Sequence, residues 1–205
     1  MTTETLAAAP YALDADAQDL LFREARTANT FTDEEVTDEQ LAAIYDLAQW
    51  GPTAMNSQPL RILFLRQGEA RERLVAHMAE GNKGKTLAAP VVAVLAADVR
   101  FHDELPTVFP HAPGIRDGLE PNEAGRLAMA TLNGSLQVGY FIVAARAVGL
   151  AAGPMSGLDA TGIDAELFPD GDHRTLVVVN LGRPAADAWQ ERLPRLPFDA
   201  AVTVL

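Results

Sequence analysis

The stretch "WGPTAMNSQPLRIL", residues 50–63, joins two unlike kinds of chain. The residues before it, "TDEEVTDEQLAAIYDLAQ" (32–49), place Leu41, Ile44, Tyr45 and Ala48 at helical spacing. Thr37 stands at the N-cap, with Gln40 three residues later, as in a capping box. Gly51-Pro52 stops that helix. The residues after the stretch, "RILFLRQ" (61–67), have the length and apolar character of a strand. Between the two prolines lie Thr53, Asn56, Ser57 and Gln58, hydroxyls and amides denser than a helix-to-strand junction needs. The junction therefore has to face something polar.

Outward from there the chain alternates. A helix is expected from Asp16 to about Thr30 and another from Glu69 to about Glu80, followed by "GNKGK" (81–85) read as a turn. Strands are expected at "APVVAVLAAD" (89–98) and "RTLVVVNLG" (174–182). A long Ala- and Gly-rich helix covers 122–149, "GPMSGLD" (153–159) reads as a tight turn, and the last twenty-three residues read as an extended, proline-rich tail. Residues 1–14 read as a loose leader. Residues 99–121 hold four prolines and two histidines without a period, the mark of a functional or mobile loop. Strands are too few for a doubly wound sheet, so the fold class expected is α+β in one domain, 15–205.

Composition narrows the function. A chain of 205 residues with 48% hydrophobic and 21% charged content can bury a sizeable core. A net charge of −12 gives no footprint for nucleic acid or for anionic membranes. The absence of cysteine removes disulfides, thiolate metal sites and cysteine nucleophiles. The N-terminus lacks the pattern of a secretory signal, and the apolar segment 138–153 is short for a membrane span, so the cytoplasm is the expected compartment. His77, His102, His111 and His173 never pair at metal-ligand spacing, and no metal is expected. No phosphate loop, dinucleotide fingerprint or nucleophile elbow is present.

Four polar clusters remain at element ends: "REARTANTF" (23–31), "PTAMNSQP" (52–59), "GNKGK" and "LPRLPF" (193–198). Each alone has an ordinary explanation as a helix face, a turn or a solvated tail. Together, in this order, they resemble the FMN-dependent nitroreductase family. Ala25 to Phe31 echoes its Arg-Arg-Ser-x-Arg-x-Phe pattern, and Pro52 to Pro59 matches its Pro-Ser-x-x-Asn-x-Gln-Pro. Asn82 and Lys85 reproduce its Asn-x-x-Lys, "AARAVGLAAGPMSG" (144–157) matches its central helix and flavin-covering turn, and Arg195 matches its tail arginine. Within the family, "NxxKTLxAPV", "LPxxFPH", "GPMSGxD" and "RLPRLxF" resemble the malonic semialdehyde reductase branch of pyrimidine breakdown.

The resemblance implies a nitroreductase-like fold, with a mainly antiparallel central sheet flanked by helices. It also implies a homodimer in which residues 183–205 pack on the partner subunit and the FMN sites lie at the subunit interface. It implies FMN as cofactor, NADH or NADPH as reductant, and a ping-pong cycle whose hydride passes through flavin N5 without a catalytic side chain. Arg26, Thr27 and Arg195 would hold the phosphate, and Asn82 and Lys85 the pyrimidine edge. Asn29, Pro52, Thr53, Ala54 and Asn56 would line the ribityl and ring atoms, with Pro154, Met155, Ser156 and Gly157 against the isoalloxazine. The acceptor implied is malonic semialdehyde, the alternatives being broad nitro or quinone reduction, or flavin binding without turnover. Phe109, His111 and Arg116 of the 99–121 loop are the substrate candidates, Arg116 as holder of a carboxylate. Ala25 and Asn29 depart from the family by lacking basic groups there, and Ser156 occupies a position that is acidic in some relatives.

Overall fold

The computed structural model describes residues 11–205; the first ten positions of the expected leader lie outside the described residues. Contacts gather into two units that the chain visits in turn: residues 11–25 with 37–61 and 97–150, and residues 26–36 with 62–96 and 151–205.

In the first of these, α1 (Ala15–Gln18) runs into a π-helical turn at Asp19–Arg23, and the helix stops there rather than at Thr30. Helix α2 (Asp38–Ala48) starts at the expected capping box. Thr37 Oγ1 accepts from the Gln40 amide at 3.2 Å, and Gln40 Oε1 accepts from the Thr37 amide at 3.0 Å. Its Leu41, Ile44 and Ala48 are buried, and it packs on α7 (Glu123–Ala147), whose small Ala130, Ala144 and Ala145 are buried around Phe141. By length and composition α7 could cross a membrane, reaching further back than the apolar segment the sequence displays. A core helix meets the same criterion, and α7 buries Arg126, Asn133 and Gln137, each hydrogen-bonded within this unit. The 99–121 segment is not an aperiodic loop. It holds a 3-10 turn (Phe101–Glu104), α5 (Leu105–Val108) and α6 (Ile115–Leu119).

The other unit is built on the strands. Strands β1 (Leu60–Leu65), β2 (Val91–Asp98), β3 (Ala151–Met155) and β4 (His173–Gly182) form one antiparallel sheet in the order β1-β2-β4-β3. Strand β3, which the sequence presents as part of a helix end and a turn, pairs with β4 from Ala151 opposite Gly182 to Met155 opposite Val178. Strand β2 is buried along its whole length, as its unbroken apolar run requires. Helices α3 (Glu69–Ala76) and α8 (Ala160–Leu167) cover a core of Leu65, Leu74, Met78, Val92, Val94, Met155, Ile163 and Val178. "GNKGK" lies inside a helix, α4 (Glu80–Ala88), not in a turn.

At the end of β4 the packing leaves no space for a side chain. A Cβ on Gly182 would lie 2.8 Å from Pro90 Cδ and 2.9 Å from Phe31 Cδ1, both ring atoms with little freedom to withdraw. Gly182→Ala is therefore expected to destabilise the protein by about 1–3 kcal/mol, read as a lowered denaturation midpoint at unchanged m-value.

The tail divides in two. Residues 183–190 lie against 26–32 of the same chain. The Thr32 amide donates to Arg183 O at 2.9 Å, the Asn29 amide to Ala188 O at 3.1 Å, and the Thr30 hydroxyl to Asp187 at 2.7 Å. Beyond them Leu193, Leu196, Phe198 and Val204 stand exposed, around the short α9 (Phe198–Ala201).

Candidate functional site

In the strand-built unit, α4 and the turn after β3 are tied together. The Ala79 amide donates to Gly157 O at 3.0 Å, and Asn82 Nδ2 donates to the same carbonyl at 2.9 Å. A Cβ at Gly157 would meet Asn82 Nδ2 at 2.8 Å, so the glycine permits this approach. One turn further along α4, the buried Thr86 hydroxyl points at Met155 Sδ (3.9 Å), which the fully buried Asn180 amide also approaches (3.9 Å). The amide of Asn82 is thereby oriented. Its Nδ2 is engaged, and its Oδ1, without a partner among the described residues, is left to accept. Lys85, three residues on and half-buried, has no ionic partner among the described residues.

The remaining candidates of this unit lie on loops. Arg26 is half-buried and donates to Gln190 O at 3.2 Å, Thr27 is exposed, and Asn29 Nδ2 reaches Thr27 O at 3.5 Å. Pro154 and Met155 belong to β3, while Ser156 and Gly157 are exposed in the turn. Arg195 is exposed and donates to the carbonyls of Leu193 and Pro194, not to groups near Arg26. The donor set of α4, the turn and Arg26-Thr27 fits a ligand with an N–H donor at one end and an anion to be met by cations and hydroxyls.

The helix-built unit holds the junction segment. Pro52, Ala54 and Asn56 are exposed and Thr53 half-buried, while Met55, Asn56 and Gln58 adopt left-handed backbone with φ of 56°, 50° and 42°. Three such residues within four positions mark stored strain at a presented segment. Asn56 Nδ2 donates to Val108 O at 2.9 Å, and Gln58 Nε2 donates to Asn56 Oδ1 at 3.0 Å. Asn56 thus joins the segment to the end of α5, a role its spacing did not reveal.

Beyond that contact, Phe109 and His111 pack edge to face with centroids 4.5 Å apart. Arg116 is not a free guanidinium. It donates to Asp103 at 2.8 Å, pairs with Glu120 at 3.0 Å and reaches Asp117 at 3.1 Å. Arg100 closes a ring, pairing with Asp103 at 2.8 Å and Glu120 at 3.2 Å, while the fully buried His102 meets Glu120 at 2.8 Å. His102, Asp103 and Glu120 have the proximity of a metal site, but the two arginines already neutralise both carboxylates. The hydrogen bond from His102, with the charges of Arg100 and Arg116, holds the Glu120 carboxyl below its ordinary 4.5 against the rise from burial. Asp103 is raised by burial and lowered more by Arg116 and Arg100, so it too ends below its ordinary 3.8. Because the folded values are depressed, the contribution of the ring is full above about pH 4.5 and is lost as pH falls through the lowered values. Amide exchange across 99–121 is expected to quicken in that acid range before exchange in β2 does; simultaneous loss would exclude a separate acid-sensitive ring.

Comparison with known proteins follows the same lines. The Nitroreductase family model matches residues 22–183. A Streptomyces coelicolor protein, provisionally named an NADH dehydrogenase/NAD(P)H nitroreductase, is 62% identical over 193 residues, covering 94% of this chain and 98% of its own. A Leptothrix cholodnii protein of the same provisional name is 50% identical over 195 residues, covering 95% and 99%. Among solved structures, a Bacillus subtilis protein described as a nitroreductase superposes with a TM-score of 0.80 at 20% identity, covering 93% of this chain and 99% of that one. An Exiguobacterium sibiricum protein, solved in complex with FMN, does so with 0.78 at 17%, covering 94% and 98%.

Proposed function

Because the chain belongs to the nitroreductase family, we propose that it is an FMN-dependent NAD(P)H oxidoreductase that reduces small acceptors. The observation that carries this reading is α4, where an amide oriented by Gly157 has an oxygen that meets no partner among the described residues, three residues before a half-buried ammonium that has no ionic partner among them. FMN, when bound, supplies a ring that takes a hydride from a nicotinamide and yields it to a second substrate in the same place. Asn82 Oδ1 would accept from the N–H of the flavin pyrimidine, and Lys85 would set positive charge beside that edge. Arg26 and Thr27 would hold the phosphate, and Gly157 and its neighbours would admit the ring closely because no side chain intervenes. Thr53, Ala54 and Asn56 would present polar and small groups from the strained segment. The exposed apolar residues Tyr45, Trp50, Leu132 and Leu136, with the tail beyond residue 190, are the surface expected to close in a homodimer, bringing Arg195 to its place. The cytoplasm is the expected site of action.

Nitro and quinone acceptors suit the geometry best. Malonic semialdehyde, favoured by the motif likeness, carries a carboxylate that needs a cation, and both cations of residues 99–121, Arg100 and Arg116, sit in ion pairs. Arg116→Glu is accordingly expected to raise the KM for malonic semialdehyde and for a neutral quinone alike, by breaking the ring. A rise confined to the aldehyde would return Arg116 to the substrate carboxylate. The test of the whole reading is the visible spectrum after FMN loading and desalting. A flavin spectrum bleached by NAD(P)H without oxygen and restored by a nitroaromatic supports it, whereas a colourless protein refutes it.

A further inference from the structure

The strained segment 53–60 is held by two buried amides on α7. Asn133 Oδ1 accepts from the Ala54 amide at 2.7 Å, and Gln137 Oε1 accepts from the Leu60 amide at 3.0 Å. The two stand four residues apart, on one face of the helix, and are 3% and 5% exposed. Asn133 is itself fixed, its Nδ2 donating to Met129 O at 2.8 Å. A turn further on, Tyr140 lies where a Cβ on Gly51 would come within 3.0 Å of it, so the same face underlies the start of the segment.

Two uncommon features make this more than ordinary packing. Burying an amide in an Ala- and Leu-rich helix is costly unless its polar atoms are paired, and here both oxygens and the Asn133 Nδ2 are paired with main chain rather than with side chains. The backbone between the two anchors is also strained. Met55, Asn56 and Gln58 all have positive φ, where a side chain crowds its own backbone. Such a segment relaxes unless something outside it over-determines its path. Local bonds contribute, since Thr53 Oγ1 accepts from the Gln58 amide at 3.2 Å, but Ala54 and Leu60 look to α7 for their acceptors.

The geometry points to Asn133 and Gln137 as positioning residues. They clamp the 53–60 segment at both ends and so fix how Thr53, Ala54 and Asn56 are presented to the cofactor. Through Asn56 and the Val108 carbonyl, the clamp also fixes the approach of α5, which leads to Phe109. The part of this inference that concerns the cofactor rests on the function proposed above; the clamp itself does not.

The test compares Asn133→Leu, Gln137→Met and Gln137→Glu with the wild type, using Ser135→Ala on the exposed face of α7 as control. Leucine and methionine keep volume and lose the acceptor, while glutamate keeps an acceptor oxygen for the Leu60 amide. Amide exchange is read at Ala54 and Leu60 in the FMN-free and FMN-loaded protein, beside the FMN dissociation constant. Expected are exchange at Ala54 at least about tenfold faster in Asn133→Leu and at Leu60 in Gln137→Met, unchanged protection in β2 and β4, and FMN binding about tenfold weaker. Gln137→Glu is expected to restore slow exchange at Leu60, and Ser135→Ala to match the wild type. Unchanged exchange at Ala54 and Leu60 would overturn the clamp, as would equal quickening in β2 and β4, or Gln137→Glu behaving as Gln137→Met. If wild-type protein retains no FMN, the proposed function falls, and the exchange pattern of the FMN-free protein still decides the clamp.

Discussion

Arg71→Met is expected to lower the melting temperature by about 10 °C, corresponding to a loss of about 4 kcal/mol. Arg71 is fully buried, yet no carboxylate accompanies it among its hydrogen-bond partners. Its guanidinium donates to Thr86 O at 3.0 Å, Ala89 O at 2.7 Å, Pro90 O at 3.3 Å and Leu65 O, four carbonyls at the ends of β1 and α4 and the start of β2. Burial pushes its pKa down to about 10, which still leaves it charged at neutral pH. Removing the cation relieves that desolvation. The larger effect is the opposite one, because hydrogen bonds from a charged donor are each worth about 1.5–3 kcal/mol and methionine donates to none of these carbonyls, of which Ala89 O keeps the Gln67 amide at 3.2 Å. Arg71→Lys should fall between, since one ammonium cannot span the fork. A change of less than about 1 kcal/mol for methionine would show that these carbonyls find other donors.

Lys85→Met should do the reverse, leaving the melting temperature within about 2 °C of wild type while NAD(P)H-dependent turnover falls about a hundredfold. No ion pair among the described residues is lost with it, so folding has little at stake. In the function proposed above, Lys85 would set its charge at the flavin pyrimidine edge, and Asn29, where the family resemblance implies a basic group, would add none. The midpoint potential of the bound flavin is expected to move to a more negative value. A turnover within about threefold of wild type would mean that the cation faces elsewhere.

What the sequence discloses follows from how locally each feature is determined. Strands β1, β2 and β4 are legible because continuous apolar runs of that length have few other uses. Helix α2 is legible from its capping box. Helix α4 is hidden because Gly81 and Gly84 interrupt any apolar stripe; what holds it is distant, the Arg71 fork on its last carbonyls and Asn82 on Gly157. Strand β3 is hidden by its small residues and Pro154, and exists through pairing with β4. Of the candidate site, the motif positions on α4 and the β3 turn are brought together, whereas Arg195 is left apart and Arg116 is drawn into the ring with Arg100. Asn133 and Gln137 carried a signal in the sequence: two amides one turn apart in an Ala- and Leu-rich helix, which burial makes costly unless main chain awaits them.

The position of β3 at the margin of the sheet has a consequence for the protein in crowded solution. A marginal strand ordinarily offers main-chain donors to any stray chain and so seeds aggregation. Pro154 has no N–H to offer, and β3 is only five residues long, so an intruding strand could form few bonds along it. The proline that shapes the turn beside Gly157 thus also guards that flank of the sheet against unwanted growth.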